Sequence, residues 1–479
     1  MSISTILTRI GLAGSFPAQS PLDQLAQTPA ALPGFVRACP VTMAALNLLS
    51  PLPWEAFPEP FRPRTWLHAN RLSEATLAAA CLIRLEQHLT YTSQLVSYLV
   101  AHPALLWLLG FPLVPDKSHP LGFKPAASLP SQRQFNRRLR QMEQASLQWL
   151  LDQTVARLRR ELEPFAPDFG EIISLDTKHI LAFVKENNPK AYVPDRFNKT
   201  KQPPGDPDCK LGCKRRRNQK ISAALEGTPT TNPVPFHKVG VGEYYWGYGS
   251  GIVATKVPGW GEFVLAELTQ PFNKGDTTYF FPLMAETARR LGRTPHFGAF
   301  DAAFDAFYVY EYFHQAGGLA AVPFAEKGST VMRQYAPDGR PLCEAGLPMP
   351  VQTTYTDRTK TIIPHPRACY ACPLLYPAPD GQPCPVNHKR WPKGGCTADM
   401  PTSIGARLRY QINRQAEPYR TIYKQRTATE RVNSQAVALG IERPHLRNGA
   451  AITNLNTLIY ILINLKALQR IRARKAQIS

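Results

Sequence analysis

The chain has 479 residues, which is long for one ordinary hydrophobic core and enough for about two or three domains. Its hydrophobic content of 44% is that of a globular protein, so the composition excludes a mainly disordered chain. Lysine and arginine total 56 against 35 acidic residues, and the resulting net charge of +21 favours a polyanionic partner.

Membrane-spanning and secreted proteins are also disfavoured. The most apolar stretches, "LVSYLVAHPALLWLLGFPLV" and "LNTLIYILINLKAL", are interrupted by His and Pro or are short for a bilayer crossing, so we expect buried helices. The N-terminus lacks the apolar core of a signal peptide, and nine cysteines without such a signal are typical of a reducing compartment. We therefore expect a cytoplasmic protein that has no membrane partner.

The first part of the chain is predicted to be a lead-in followed by a helical domain. Residues 1–65 are rich in proline ("FPEPFRPRTW") and are expected to be extended. Residues 66–165 show helical periodicity, and "LPSQRQFNRRLRQ" predicts a helix that starts at Ser131. Arginines crowd its first turns, which indicates either a solvated face or a DNA-contacting helix. The candidate DNA-binding residues are Arg133, Arg137 and Arg138.

Residues 166–325 are predicted to form the first part of an α/β core. "EIISLDTKHILAFV" is typical of a strand, and "YGSGIVATKV" and "EFVLAEL" of a hairpin. A helix ("TTYFFPLMAETARRLG"), a strand ("HFGAFD"), a helix and a final strand follow. This β-β-β-α-β-α-β order predicts a mixed sheet in which the first and fourth strands are neighbours.

A cysteine-rich insertion over residues 326–405 separates this core from its last part, residues 406–479, which is predicted to contain two helices. In the insertion, Cys369 and Cys372 have the spacing of a zinc-binding pair, and Cys384 and Cys396 follow. The prediction is a structural zinc ion bound by these four cysteines, with His388 as an alternative to Cys396. Unliganded thiols and disulfides are the other interpretations.

Three carboxylates lie where a carboxylate needs a partner. Asp176 is inside an apolar strand, where an unpaired charge is costly. Asp301 ends the strand "HFGAFD" and is either a helix N-cap or a site residue, with Asp305 as its rival. Glu430 opens a helix, and Thr427 and Glu430 also have the spacing of a capping box. If the three carboxylates converge, their oxygens suit hard divalent cations that promote phosphoryl transfer.

Three motifs resemble those of the DDE transposases of bacterial insertion sequences. "SLDTKHI" is similar to the first-Asp motif, and "FDAAFDAFYVYEYFHQAGGLAAVPFAEKG" to the second-Asp motif. "YKQRTATERVN" is similar to the Tyr-x2-Arg-x3-Glu signature through Tyr423, Arg426 and Glu430. The resemblance covers residues 166 to about 470, and extends more loosely to the helical front half.

The resemblance implies an RNase H-like core and a transposase that cleaves transposon ends and transfers the strands into target DNA. It implies that Asp176, Asp301 and Glu430 bind Mg²⁺ or Mn²⁺, as a pair of ions, while Tyr423 and Arg426 contact DNA. The implied partner is double-stranded DNA, on which the protein assembles as a homodimer or higher oligomer. The family signature ends with a lysine seven residues after the glutamate, whereas this chain has Val437 there. The DNA contact of that lysine is therefore unassigned.

Two further basic runs, "CKLGCKRRRNQK" and the end of the C-terminal helix, are either solvated or neutralise a DNA backbone. The candidate DNA-binding residues of the first run are Lys214, Arg215, Arg216 and Arg217. Three alternative functions stay open from the sequence. They are a catalytically inactive, transposase-derived DNA-binding protein, another RNase H-like nuclease, and a tyrosine recombinase that uses Tyr423 as its nucleophile.

Overall fold

The computed structural model describes residues 32–60, 72–214, 243–325, 332–358 and 364–478. A six-stranded mixed sheet packs against helices, so the fold is α/β. A separate three-stranded antiparallel sheet lies in the cysteine-rich segment. The strands of the large sheet are β1 (Ile172–Leu181), β2 (Lys210–Lys214), β3 (Glu243–Val257), β4 (Gly261–Pro271), β5 (Phe297–Phe300) and β6 (Leu319–Ala321), and those of the small sheet are β7 (Val351–Asp357), β8 (His365–Tyr370) and β9 (Ala398–Pro401).

Strand β1 lies in the interior of the large sheet. It runs antiparallel to β3, with Asp176 opposite Ile252, and parallel to β5, with Leu175 opposite Phe300. Strand β3 also pairs with β4, in the hairpin that the sequence predicts, and with the short β2, while β6 extends the sheet beyond β5. The predicted neighbourhood of the first strand and the strand "HFGAF" is therefore confirmed.

The helices divide into a group before the sheet and a group that alternates with or follows its strands. The first group is α1 (Gly34–Arg37), α2 (Pro40–Leu49), α3 (Glu74–Glu86), α4 (Thr92–Ala101), α5 (Pro103–Leu109), α6 (Gln132–Gln141) and α7 (Gln144–Leu162). The second group is α8 (Phe280–Leu291), α9 (Phe307–Gln315), α10 (Ile404–Gln411), α11 (Glu417–Tyr423), α12 (Thr427–Ala438) and α13 (Gly449–Ile478).

Part of the predicted extended lead-in is helical instead. Helices α1 and α2 lie within it, and Val36, Leu49 and Trp54 are fully buried. Proline, which suggested an extended chain, occupies the first position of α2 as Pro40. Its fixed φ suits that position, where the missing N–H has no helical partner in any case. The rest of the lead-in, residues 1–31 and 61–65, lies outside the described residues.

One hydrophobic core joins the N-terminal helices to the sheet. It runs from Leu32 to Ile471 and includes residues of both helix groups and of the large sheet. Helix α13 connects them through buried amides. The Asn454 side chain donates to the carbonyls of Leu139 and Met142, and the Asn464 side chain both donates to and accepts from the backbone of Val264 on β4. The predicted helical region 66–165 thus shares its core with the sheet.

Helix α13 is also long and apolar enough to cross a membrane. In the structure, however, 89% of its most apolar window is buried inside the protein, which is typical of the core helix of a soluble protein. The predicted buried helix is longer than the apolar stretch suggested. Helices α4 and α5 would pass the same test only as one span, but the chain bends by 103° between them.

Candidate active site at the edge of β1 and β5

Asp176 and Asp301 are brought together by the parallel pairing of β1 and β5. Asp176 follows Leu175, which is opposite Phe300, and Asp301 follows Phe300 directly. Both side chains are only half-buried, because the strand β5 ends there and the chain turns into a short 3₁₀ helix. Asp301 also caps that 3₁₀ helix, accepting the Ala303 N–H at 2.9 Å. The N-cap role and a place in the site are therefore compatible.

The electrostatics of the two aspartates are those of a crowded acidic site. Burial, with repulsion from Asp301 as the second cause, raises the pKa of Asp176 to about 7. Burial, and then the nearby Asp276, also raise the pKa of Asp301. The Arg426 guanidinium opposes these effects and lowers the pKa of both carboxyls. The pair therefore needs a cation or a proton near neutral pH.

Asp276 is a third carboxylate in this site, and sequence reasoning did not select it. It opens the 3₁₀ helix Asp276–Tyr279 and accepts a hydrogen bond of 2.7 Å from the hydroxyl of Thr177 on β1. Tyr279 anchors this turn by donating to the Gly249 carbonyl on β3. A side chain at Gly249 would meet the Tyr279 hydroxyl at 2.5 Å, so glycine is required there. Only the polar segment "NKGDTT" before the helix signals Asp276 in the sequence.

Asp305, the rival of Asp301, has a structural role. Its side chain is fully buried and forms an ion pair of 2.6 Å with Arg409 on α10. It also accepts the Tyr310 hydroxyl and the Ala325 N–H, each at 2.8 Å. These bonds use both carboxylate oxygens, whereas Asp301 lies next to Asp176.

The signature residues Tyr423, Arg426 and Glu430 lie at the junction of α11 and α12. Arg426 donates to Glu430 one turn further on, and its guanidinium lies 5.9 Å from the Tyr423 ring centre. The Tyr423 ring is stacked on that of Tyr419, with 5.7 Å between the centroids. Glu430 keeps 47% of its side chain exposed. Arg426 thus connects the acidic pair on the sheet to the glutamate on the helix.

The alternative prediction, a capping box formed by Thr427 and Glu430, is wrong. Helix α12 begins at Thr427 itself, directly after a 3₁₀ turn, and has no side-chain cap. The Thr427 hydroxyl donates to the Lys424 carbonyl, while Glu430 pairs with Arg426. A continuous run of turns therefore leaves no free helix start for a box to cap.

Asn433 was also missed by sequence reasoning. It lies one turn after Glu430 on α12, is 7% exposed, and donates to the Asp176 carboxylate at 3.1 Å. Its Oδ1 atom is buried without a hydrogen-bond partner. The i, i+3 spacing from Glu430 is the signal that could have found it.

The described part of the chain contains no complete metal-binding site. There, no group of three or more His, Cys, Asp or Glu side chains is arranged to hold a metal ion. At the sheet edge, Glu430 pairs with Arg426. The donor chemistry still fits a hard divalent cation, since Asp176 and Asp301 repel each other and Asn433 Oδ1 is an orphaned buried oxygen.

A basic cleft of about 840 Å³ lies between α6 and the chain before α13. Its charged lining includes Arg133, Arg137 and Arg140 from α6 and Arg447 from the other side. Arg138, which the sequence predicted as a DNA contact, is half-buried and donates to the Leu72 carbonyl, so it belongs to the packing of α6. The exposed arginines follow from the helical period, because Phe135 and Leu139 face the core.

The other two basic runs differ in how many of their charges are exposed and unpaired among the described residues. Lys214 is exposed at the end of β2, whereas Arg215, Arg216 and Arg217 lie outside the described residues. Near the C-terminus, Lys466 pairs with Glu86, and Lys475 pairs with Glu161, each at 2.8 Å. These two lysines therefore stabilise the packing of α13, so this basic run has fewer charges available for a DNA backbone than the sequence suggests.

The predicted cysteine cluster contains Cys343 in place of Cys369. Cys372, Cys384 and Cys396 line a small cavity with Cys343, whereas Cys369 does not line it. Cys369 faces away because the alternate residues of β8, Ala368 and Tyr370, face the small core. All nine cysteines are free thiols in the structure.

Comparisons with known proteins give no match: no family model fits the sequence, and no curated protein or solved structure is found to be similar to the chain.

Proposed function

We propose that the protein is a DDE transposase that cleaves DNA at transposon ends and transfers the strands into target DNA. The observation that carries this proposal is the pair Asp176 and Asp301 at neighbouring parallel strands, with Arg426 near both and Glu430 bonded to Arg426. Aspartates in this arrangement repel each other and provide oxygen ligands for divalent cations. The basic charge of the chain suits a DNA substrate.

The sheet supports an RNase H-like core. The hairpin of β3 and β4 precedes two parallel strands, β5 and β6, that are each reached through a helix. Strand β1 pairs with β3 on one side and β5 on the other, which puts the first and second aspartates side by side. Helix α12, which carries Glu430, packs against β1 and β3. A late helix can thus complete a site that begins on the sheet.

Asp176, Asp301 and Glu430 would hold Mg²⁺ or Mn²⁺, with the orphaned Asn433 oxygen as a further donor. When bound, a pair of such ions supplies activation of the attacking oxygen and stabilisation of the leaving oxygen in a phosphoryl transfer. For Glu430 to join the aspartates, its bond to Arg426 must break. Arg426 would then be released toward a DNA phosphate, which a guanidinium binds through two parallel hydrogen bonds.

DNA binding would use the basic cleft. Arg133, Arg137 and Arg140 are exposed on one face of α6, and Arg447 lies across from them. Cations spaced along a groove of this kind neutralise successive phosphates and position the duplex, but they do not read its sequence. Assembly on the two ends of one element would need a homodimer or higher oligomer.

Cleavage of the DNA that flanks this gene, with Mg²⁺ or with a chelator, tests the proposal. We expect Mg²⁺-dependent strand cleavage at defined positions, lost in Asp176→Asn, Asp301→Asn and Glu430→Gln, with DNA binding retained. Glu417→Gln is the matched control, because Glu417 precedes the signature on α11 and its side chain is 71% exposed. Near-normal cleavage by any of the three site variants would remove that residue from the proposed site.

The same assay separates the alternatives. Binding without cleavage would identify a catalytically inactive, transposase-derived DNA-binding protein, and cleavage without preference for the flanking ends another RNase H-like nuclease. A metal-independent covalent protein–DNA adduct that is absent in Tyr423→Phe would identify a tyrosine recombinase. We expect Tyr423→Phe to leave cleavage chemistry in place, because the Tyr423 ring is stacked on Tyr419 and burial raises its pKa.

A further inference from the structure

The cysteine-rich segment gathers four thiols that are far apart in the chain. Cys343, Cys372, Cys384 and Cys396 line one cavity of about 10 Å³ next to the small three-stranded sheet. That volume corresponds to a single small occupant, since a water molecule needs roughly 10–15 Å³ on the same measure. Cys343 and Cys396 also pack against the small core formed by residues such as Tyr370 and Met400.

Three of the four cysteines start the same kind of tight turn. The carbonyl of Cys343 accepts the Gly346 N–H at 2.9 Å, that of Cys372 accepts the Leu375 N–H at 3.2 Å, and that of Cys384 accepts the Asn387 N–H at 3.0 Å. In the last turn the His388 N–H also points at the Cys384 sulfur, at 3.5 Å. A backbone N–H that points at sulfur, as at Cys384, stabilises the thiolate form that metals bind.

Two glycines directly precede the fourth cysteine, Cys396. Gly394 and Gly395 both have left-handed φ angles, of +89° and +84°. A side chain at Gly395 would meet the Cys372 Cβ at 2.5 Å and its sulfur at 3.0 Å. Glycine at 395 therefore lets the chain pass close to Cys372, with which the next residue, Cys396, interacts through its side chain.

We propose that Cys343, Cys372, Cys384 and Cys396 bind one structural zinc ion. Four thiolates are a common ligand set for tetrahedral zinc, which needs sulfurs about 2.3 Å from the metal. In the structure these cysteines line one cavity but are not yet arranged as a metal-binding group, so zinc binding has to draw their sulfurs together. His388 also lines the cavity, but its Nδ1 accepts the Arg390 N–H and its Nε2 faces Glu344 at 3.6 Å, so we place it outside the ligand set.

The physical role of the ion is to fold this segment. The fully buried apolar residues of the small core are few, so hydrophobic burial alone gives it little stability. Zinc bound to four thiolates supplies that stability directly. The site is independent of the chemistry proposed at the edge of β1 and β5.

Metal analysis of the full-length protein, purified with a reductant and without chelator, tests this site. We expect about one zinc per chain, and replacement by Co²⁺ should give the visible absorption of tetrahedral thiolate coordination. Cys343→Ser and Cys384→Ser should lose the metal and make residues 332–403 protease-sensitive while the large sheet stays folded. Cys369→Ser, on the same small sheet but away from the cavity, is the matched control and should keep the zinc.

Two results would overturn the assignment. One is zinc that is absent from Cys369→Ser and kept in Cys343→Ser, because the ligands would then be those suggested by spacing alone. The other is reduced protein without zinc that forms a Cys372–Cys396 disulfide on oxidation, because the cluster would then be a redox-active thiol pair. The metal content of His388→Ala should equal that of the unchanged protein.

Discussion

At the scale of single residues, the site is defined by charges that the fold places too close together. Asp176 and Asp301 repel each other, Asp276 adds a third negative charge, and Arg426 partly compensates. By contrast, Asp305 has a complete set of partners in the interior. The same residue type four positions apart thus stabilises the fold in one place and, in the proposed function, binds metal in the other.

The first prediction concerns the pH dependence of stability. The pKa of Asp176 is about 7 in the folded protein, against 3.8 for an ordinary aspartate. Between these two pH values the folded state therefore keeps a proton on Asp176 that the unfolded state has lost. The free energy of unfolding should therefore fall as pH rises through this window and stay lower above it. Asp176→Asn should remove that loss and stabilise the metal-free protein by on the order of 2 kcal/mol at about pH 8, with no gain at about pH 4.

Urea unfolding at the two pH values measures this effect. Asp168→Asn is the control, because Asp168 is exposed in a turn before β1 and should give the same small change at both pH values. An Asp176→Asn protein that is no more stable than the unchanged protein at about pH 8 would show that the carboxyl is well solvated.

The second prediction contrasts Asp305 with Asp301. Asp305→Asn removes the negative charge from the buried Asp305–Arg409 ion pair and should cost about 3–5 kcal/mol of folding free energy. Asp301→Asn keeps a side chain that can still cap the 3₁₀ helix and removes a repulsion, so it should leave the melting temperature unchanged or raised. Thermal unfolding of the two variants compares them directly. Equal destabilisation would mean that Asp301 is also a structural residue.

At the scale of elements, the two faces of α6 have different tasks. Phe135 and Leu139 fix it to the core, and Arg138 bonds to the Leu72 carbonyl. Arg133, Arg137 and Arg140 face the basic cleft. A helix that is anchored in this way holds its exposed cations at fixed spacing, which a mobile charged segment does not.

The third prediction is that the cleft sets the salt dependence of DNA binding. Replacing Arg133, Arg137 and Arg140 with alanine should reduce the slope of log K against log salt by about 0.9 for each phosphate that is no longer neutralised. A control that removes equal charge from exposed positions away from the cleft, Arg37, Lys117 and Lys124, should change the slope much less. Binding measured over a salt series checks both. Equal effects of the two triple variants would assign the binding to net charge alone.

At the scale of the whole molecule, α13 unites the helical N-terminal region with the sheet. Asn454 and Asn464 are buried in it and bond to elements on both sides, and the hydrophobic core extends over both. The long apolar helix is therefore explained by its position in the interior, since an element enclosed on all sides has no polar face.

The fourth prediction tests this connection. Asn464→Ala removes the partner of the Val264 N–H and carbonyl and of the Thr154 hydroxyl, all in the interior. We expect a loss of roughly 2–4 kcal/mol in a single unfolding transition, because unsatisfied buried groups are costly and the core is shared. Gln477→Ala, on the exposed end of the same helix, should change stability little. Two separate transitions would contradict the shared core.

The sequence by itself determined the elements and many of the residues in the candidate site. The change from helical to strand periodicity located β1, the runs "YGSGIVATKV" and "EFVLAEL" located the hairpin, and the spacing of Tyr423, Arg426 and Glu430 placed them together on successive turns. These features are local, because periodicity and turn chemistry depend on neighbours in the chain. The element order also predicted that β1 and β5 pair.

Only the tertiary structure decided which chemically similar residues meet. Asp276 joins the aspartates through Thr177, Asp305 is used by Arg409, and Cys343 lines the cysteine cavity instead of Cys369. The tertiary structure likewise determines that, on α6, Arg140 lines the cleft whereas Arg138 bonds to the Leu72 carbonyl. The physical reason is that these partners are distant in the chain, and nothing in local propensity or spacing states which side chains long-range packing brings within hydrogen-bond distance.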